Sequence, residues 1–206
     1  NVEILWPFVV KLLQHCKEPP ASVLDYGCGG GGFCRSLYSN GYDVVGIDYS
    51  KKMVSAARKK TPNRKIKYIF GDVTTLGCEK RYNIITSLMV FQFIRDIDEH
   101  VSKLSELLSD GGSLFLAVFN PAFVTKCIRA KLFFKSGSKL NINGVDLDIF
   151  IRSKADYHKI FSKYGLKLTG AYYPKFTKSF IKKYKWPLPK NDKEYLVMVF
   201  KKKLVR

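Results

Sequence analysis

The sequence has no run of about 18 or more apolar residues, the length that a helix needs to cross a bilayer. Its first stretch, NVEILWPFVVKLLQHCKEPP, has no basic leader, and Glu3 and Pro7 interrupt its apolar residues. We therefore predict neither a membrane span nor a secretory signal. Internal repeats and low-complexity tracts are missing as well, which excludes repeat architectures and disordered linkers.

Cysteine is sparse and odd in number, since the 206 residues contain five. No CxxC pair and no Cys/His cluster has the spacing of a zinc site. We therefore expect no metal ion and reduced thiols, as is typical of a cytoplasmic protein. The five positions are Cys16, Cys28, Cys34, Cys78 and Cys127.

Acidic residues are few, with 17 Asp and Glu against 36 Lys and Arg, so the formal net charge is +19. Such a field attracts anions, including nucleic acid, membrane surfaces and acidic small molecules, without choosing among them. The basic residues are mostly Lys and are spread along the chain. A solvated basic surface explains them as well as a nucleic-acid site does.

What is present is an alternation of strands and helices in a chain long enough for one domain, residues 1–206. This alternation predicts parallel βαβ units and a doubly wound α/β sheet covered on both faces. The predicted strands are 22–26, 43–48, 66–71, 82–88 and 113–119, and the predicted helices between them are 33–40, 51–60 and 97–109.

The C-terminal part breaks the alternation. Two strand patterns, 166–174 and 194–203, follow a helix that we expect Ser153 to cap and Gly165 to end. With no long helix between them, they predict an antiparallel hairpin that completes a seven-stranded, mostly parallel sheet. Residues 120–150 show no clear period, and with the N-terminal helix (residues 1–20) we expect them to form a lid.

Glycine is concentrated in YGCGGGG, where the first strand turns into the next helix. Glycine permits a positive φ and lets a ligand approach bare backbone beside a helix N-terminus. Gly27, Gly29 and Gly32 also satisfy the spacing GxGxxG, a weak signal of dinucleotide binding. No Lys-Ser/Thr pair follows, so a phosphate loop of the Walker type is excluded.

Three carboxylates lie at the ends of the first three strands, Asp25 and Asp48 within their strands and Asp72 directly after its strand. Asp48 suits the two hydroxyls of a ribose, Asp72 suits the amino group of adenine, and Asp25 suits an ammonium, directly or through water. Ribose, adenine and an α-ammonium together describe S-adenosylmethionine better than NAD. A pyrophosphate would gain nothing from a neighbouring carboxylate at position 25.

The successive segments VLDYGCGGG, VVGIDYSKKMVSAARKK, FGDVTTL, YNIITSLMVFQFIRDID and LSDGGSLFLAVFN resemble the motifs of class I S-adenosylmethionine-dependent methyltransferases. The resemblance implies a Rossmann-like fold and S-adenosyl-L-methionine as cofactor, with S-adenosyl-L-homocysteine as product. The resemblance places Met53 near the adenine, and core packing of its helix explains this residue nearly as well. The implied roles are: Asp25, Gly27, Cys28 and Gly29 at the methionine end, Asp48 and Tyr49 at the ribose, Met53, Asp72 and Val73 at the adenine, and Ser87 and Leu88 near the methionine and the substrate mouth.

A catalytic base is not evident. Many members of the family carry His or Tyr at the position where this chain has Phe93. The three histidines lie in predicted helices: His15 in the N-terminal helix, and His100 and His158 in later ones. We expect His100 to be at the surface. Phe91 and Gln92 either contact the substrate or pack in the core.

The predicted acceptor is a small molecule, methylated on oxygen or nitrogen. We expect Arg129 or Arg152 to hold an anionic group of the acceptor. Its apolar walls would be formed by aromatic residues of the tail and of residues 120–150, namely Tyr172, Tyr173, Phe176, Phe133 and Phe134. RNA or protein methylation is the first alternative, because the basic surface and YYPKFTKSFIKKYKWP mix aromatic and basic residues. A NAD-dependent oxidoreductase is the second. The sequence gives neither the oligomeric state nor the acceptor.

Overall fold

A computed structural model describes residues 2–61, 65–132, 134–136, 139–142, 144–185 and 193–204. Seven strands form one sheet in the order β3-β2-β1-β4-β5-β10-β9. The first five strands are parallel, and β10 pairs antiparallel with both β5 and β9. The bounds are β1 Ser22–Tyr26, β2 Asp43–Asp48, β3 Lys67–Phe70, β4 Tyr82–Leu88, β5 Leu108–Phe119, β9 Leu166–Tyr172 and β10 Tyr195–Lys202.

Helices cover both faces of this sheet. Apolar side chains of α1, α2, α3 and α5 form a core on one face, and those of α4 and α6 form a second core on the other. The prediction of a seven-stranded, doubly wound sheet with an antiparallel C-terminal hairpin is confirmed. The helices are α1 Leu5–Cys16, α2 Gly32–Ser39, α3 Lys51–Lys59, α4 Asp98–Leu107, α5 Pro121–Arg129, α6 Lys154–Lys163 and α7 Lys178–Tyr184.

The described parts of residues 120–150 form regular elements that their sequence pattern does not indicate. Asn120 accepts a hydrogen bond from the backbone N–H of Ala122 and Pro121 occupies the first turn, so these two residues start α5. A small antiparallel sheet follows, in the order β6-β7-β8. Its strands are β6 Phe134–Ser136, β7 Lys139–Ile142 and β8 Val145–Asp148.

The boundary between α4 and β5 differs from the sequence prediction, and the predicted cap and end of α6 agree with it. The fifth strand begins at Leu108, before the Gly-Gly pair, because its start pairs with Tyr82 of β4 across a register shift. Helix α4 therefore ends at Leu107. Ser153 caps α6 in a reciprocal pair with Asp156, and Gly165 follows the helix with φ +74°.

No helix in the described part of the chain is both long and apolar enough to span a bilayer. The same residues contain no group of three or more His, Cys, Asp or Glu side chains arranged to hold a metal ion.

Candidate active site

A cavity of about 800 Å³ lies at the carboxyl ends of the central strands. The strand order reverses between β1 and β4, and a crevice opens at that point in doubly wound sheets. The bend after β1, the ends of β2 and β3 and the chain after β4 bring their residues to this crevice. Its lining is Tyr26, Gly27, Gly29, Asp48, Tyr49, Ser50, Met53, Asp72, Met89, Val90, Phe93, Ile94, Arg95, His100, Leu147 and Asp148.

The bend between β1 and α2 needs glycine for two different reasons. Gly27 has φ +73°, and a Cβ there would lie 2.2 Å from Cγ2 of Val90. Gly29 has φ +52°, and a Cβ on Gly29 or Gly30 would have no neighbour within 4 Å. The first glycine therefore permits close packing, whereas the next two leave bare backbone beside open space.

Asp48, at the end of β2, connects the bend to the start of α3. Its Oδ2 accepts a hydrogen bond from the backbone N–H of Gly29 over 2.8 Å, and its Oδ1 accepts one from Ser50 over 2.9 Å. A carboxylate oxygen can accept two hydrogen bonds, so each keeps capacity for a ligand hydroxyl. The side chain is buried and lines the cavity.

Asp72 follows β3 and begins a short 3-10 helix, Val73–Thr75. Its Oδ1 accepts hydrogen bonds from the backbone N–H and the hydroxyl of Thr74, over 2.9 and 3.0 Å. Its Oδ2 lies 3.6 Å from Nε2 of His100. The His100 ring stacks on that of Tyr26, with centroids 6.1 Å apart. Burial raises the pKa of Tyr26, and the negative charges of Asp72 and Asp48 add to this.

Six of the eleven predicted site residues line the cavity. They come from three separate loops that the sheet brings to one edge, as the sequence predicts. These residues are Gly27, Gly29, Asp48, Tyr49, Met53 and Asp72.

Asp25 lies under the bend, outside the cavity lining, and is almost fully buried. Its carboxylate accepts hydrogen bonds from the hydroxyl of Thr86, over 2.7 Å, and from Sγ of Cys34, over 3.2 Å. Burial raises the pKa of this carboxyl from 3.8 to about 6; the two hydrogen bonds act in the opposite direction, and the charge of Asp48 adds to the rise. Direct contact between Asp25 and an ammonium is therefore not supported by its side-chain position.

The other four predicted residues also point into the protein or pack beside the cavity. Sγ of Cys28 packs next to Gly46 of β2, and Val73 belongs to the core beneath α4. Ser87 is fully buried, and its hydroxyl has no hydrogen-bond partner among the described residues. Leu88 packs against the other core.

Sequence reasoning missed much of the apolar wall. Met89, Val90, Phe93 and Ile94 follow β4 and line the cavity, and Leu147 lines it from β8. Met89 has φ +64°, an uncommon conformation that turns the chain directly after the strand. Arg95 and Asp148 add one charge of each sign to the lining.

The expectation that His100 is a surface residue is wrong, because it lines the cavity with a side chain that is 16% exposed. His15 lies in a separate surface groove formed with Trp6 and Asn40, and His158 borders a shallow groove beside α6. Phe91 and Gln92 are buried, so the packing alternative holds for both.

The proposed anion-binding role of Arg152 is not supported. Its guanidinium donates hydrogen bonds to the backbone carbonyls of Phe91, Phe150, Ile94 and Arg95. Arg129 is exposed at the end of α5, outside the cavity lining. Among the expected aromatic wall residues, Tyr172, Tyr173 and Phe176 lie outside the lining, and Phe133 and the Phe134 side chain lie outside the described part of the structure.

Comparison with known proteins decides the family. A family model described as a methyltransferase domain matches residues 5–170. The chain belongs to this methyltransferase family. Membership agrees with the resemblance in the sequence motifs and speaks against a NAD-dependent oxidoreductase.

Relatives of this methyltransferase include two proteins named ubiquinone biosynthesis O-methyltransferase. The one from Acinetobacter baylyi is 29% identical over 190 residues, which is 87% of this chain and 76% of the relative. The one from Pelagibacter ubique is 33% identical over 100 residues, which is 48% of this chain and 42% of the relative. The chain therefore spans less than half of the length of the Pelagibacter protein in that match.

A solved structure shows the same fold. An S-adenosylmethionine-dependent methyltransferase from Mesorhizobium loti matches this methyltransferase with a TM-score of 0.75 at 17% identity, over 96% of this chain and 97% of that one.

Proposed function

We propose that the protein transfers a methyl group from S-adenosylmethionine to an oxygen atom of a small molecule. The observation that carries this proposal is that the bend after β1, with its bare backbone, and the carboxylates of Asp48 and Asp72 line the same cavity. Gly29 leaves open space, and Asp48 and Asp72 each keep hydrogen-bonding capacity toward the cavity. The relative from Mesorhizobium loti is described as dependent on this cofactor.

The residues present fit such a cofactor. Asp48 would accept hydrogen bonds from the ribose hydroxyls, and Asp72 would accept one from the adenine amino group. Met53 and Tyr49 are exposed on the same rim and would cover the adenosyl group. Gly27 and Gly29 would lie against the methionine end, and at Gly29 a side chain would enter the open space that the ligand needs.

The bound cofactor would supply the activated methyl group and its leaving group. The chain then has to orient the acceptor and exclude water, which is the main source of rate in such a displacement. Met89, Val90 and Phe93 form an apolar wall next to Gly27 that suits this task. No described residue of this wall titrates, so we expect an acceptor that loses its proton readily, such as a phenol.

The names of the two bacterial relatives favour oxygen as the accepting atom and a small molecule as the acceptor. The β6-β7-β8 sheet borders the cavity through Leu147 and Asp148. A cavity bordered in this way suits a small acceptor. Methylation of RNA or protein remains the alternative outcome of the experiment below.

Calorimetry with S-adenosylmethionine, S-adenosylhomocysteine and NAD tests the cofactor. We expect heat from the first two ligands only. To identify the acceptor, the protein is incubated with labelled S-adenosylmethionine and, in separate reactions, with small-molecule, RNA and protein fractions of a cell extract. Label in the small-molecule fraction, identified by mass spectrometry as a methyl ether, is the expected result. Binding of NAD alone, or label in RNA or protein, would contradict the proposal.

A further inference from the structure

His100 and Asp72 form a contact that the proposed reaction does not itself require. His100 lies in the first turn of α4, and Nε2 of its ring is 3.6 Å from Oδ2 of Asp72. This separation is slightly longer than a hydrogen bond, and contacts of this kind often tighten when a ligand binds. Both side chains line the cavity.

The His100 ring is held in one orientation. It stacks on Tyr26 at an interplanar angle of 24°, and Tyr26 in turn meets the edge of the buried Phe91 ring at 6.0 Å. Nδ1 of His100 is buried and has no hydrogen-bond partner among the described residues. A proton on Nε2 therefore avoids a buried, unpaired N–H group and directs the donor toward Asp72.

The Asp72 carboxylate is then fixed from both sides. Thr74 donates two hydrogen bonds to Oδ1, and the His100 ring faces Oδ2. Because a carboxylate oxygen accepts two hydrogen bonds, Oδ2 retains one site for a donor in the cavity. The Asp72 side chain is 42% exposed, so a ligand can reach it.

We propose that His100 is a positioning residue that orients Asp72 toward the exocyclic amine of the purine, and so makes the cavity select adenosyl over 6-oxopurine ligands. This inference rests on the proposed function, since it assumes an adenosyl cofactor. A 6-oxopurine presents a carbonyl oxygen where adenine presents an amine. Two acceptors would then face each other, and the interaction with Asp72 would be lost.

The test compares S-adenosylhomocysteine with S-inosylhomocysteine, its 6-oxo analogue, by calorimetry on the full chain. For His100→Ala we expect affinity for the adenosyl ligand to fall about three- to tenfold, the worth of one oriented hydrogen bond, with affinity for the inosyl ligand unchanged. His100→Gln keeps an N–H donor near the position of Nε2 and should restore most of the loss. In an Asp72→Asn background, His100→Ala should have no further effect.

Thr74→Val is a second, independent variant, because it removes one hydrogen bond from Oδ1 and leaves the ring stack in place. We expect the same selective loss for the adenosyl ligand. Equal weakening of both ligands in the His100 and Thr74 variants, or no change in either, would overturn the positioning role while leaving the proposed function intact. A wild-type protein that binds neither ligand would overturn the proposed function and this inference with it.

Discussion

The backbone N–H of Gly29 donates a hydrogen bond to Oδ2 of Asp48 over 2.8 Å. This bond joins the bend after β1 to the end of β2, so the two parts of the chain that would hold the cofactor are fixed to each other. The other carboxylate oxygen binds the N–H of Ser50, which begins α3. The Asp48 charge therefore stabilises two loop backbones and keeps free lone pairs for a ligand.

Asp48→Asn should weaken S-adenosylhomocysteine binding about ten- to a hundredfold, because a hydrogen bond to a charged acceptor becomes one to a neutral acceptor or is lost. The free energy of unfolding should fall by about 1 kcal/mol, since the amide can replace only one of the two acceptor oxygens. Asp43→Asn is the matched control at the exposed start of β2, where the Asp43 carboxylate forms a surface ion pair with Lys80. Calorimetry and urea unfolding measure both effects; equal affinity in the two variants would refute the ribose assignment.

Gly27→Ala should lower the free energy of unfolding by about 2 to 4 kcal/mol, because a Cβ at φ +73° is strained and would collide with Val90. Gly30→Ala is the control in the same bend, with open space at its Cβ and no positive φ. Its stability should stay unchanged or rise by up to about 1 kcal/mol. Urea unfolding of both variants measures the difference, and similar stability for the two would contradict the packing described at Gly27.

The sequence predicts the edge of the sheet where the site lies. Parallel strands end at one edge, so strand alternation alone brings the bend, Asp48 and Asp72 together. The direction of each side chain is harder to predict. Asp25 and Tyr26 are neighbours in β1 and point to opposite faces, and only the packing of Thr86 and Cys34 shows that Asp25 is enclosed.

The inward position of His100 could have been predicted from the sequence. It stands three residues after Ile97 and four before Leu104, both of which are buried, so helical periodicity places it near the core face of α4. Asn120 and Pro121 likewise carry a helix-start signal. The approach of β8 to the cavity has no comparable local signal, because it depends on contacts between segments distant in the chain.

Asp25 should make stability depend on pH in a distinctive direction. Its pKa is raised from 3.8 to about 6 in the folded protein, so the folded state binds the proton more tightly than the unfolded state. This contribution to stability is fully present below pH 3.8 and is lost as the pH rises through about 6. The size of the loss is on the order of 3 kcal/mol.

Asp25→Asn should remove this loss of stability with rising pH, because an amide does not ionise. The amide oxygen can still accept the Thr86 hydrogen bond. Urea unfolding at several pH values between 4 and 7 measures the slope in wild type and variant. Asp43→Asn, with its exposed side chain, should leave the slope as in the wild type. A wild-type slope that persists in Asp25→Asn would show that another group is responsible.

Arg152 should matter for stability rather than for anion binding. Its guanidinium donates hydrogen bonds to carbonyls at both ends of the 3-10 helix Phe91–Phe93: over 3.2 Å to Phe91 at its start and over 2.9 Å to Ile94 directly after it. Arg152→Lys cannot reproduce this fork of donors, so we expect the free energy of unfolding to fall by about 2 to 3 kcal/mol. Arg129→Lys, exposed at the end of α5, should change it by less than about 0.5 kcal/mol.

Hydrogen exchange then separates a local effect from a global one. In Arg152→Lys the amides of Ile94 and Phe150 should lose protection most, because Ile94 bonds to Phe91 and Phe150 bonds to Gln92 in the region that the guanidinium joins. The amides of β1 and β2 should lose protection only to the extent that global stability falls. Unchanged protection at Ile94 and Phe150 would mean that this region is held in place without Arg152, and that the apolar wall of the cavity does not depend on it.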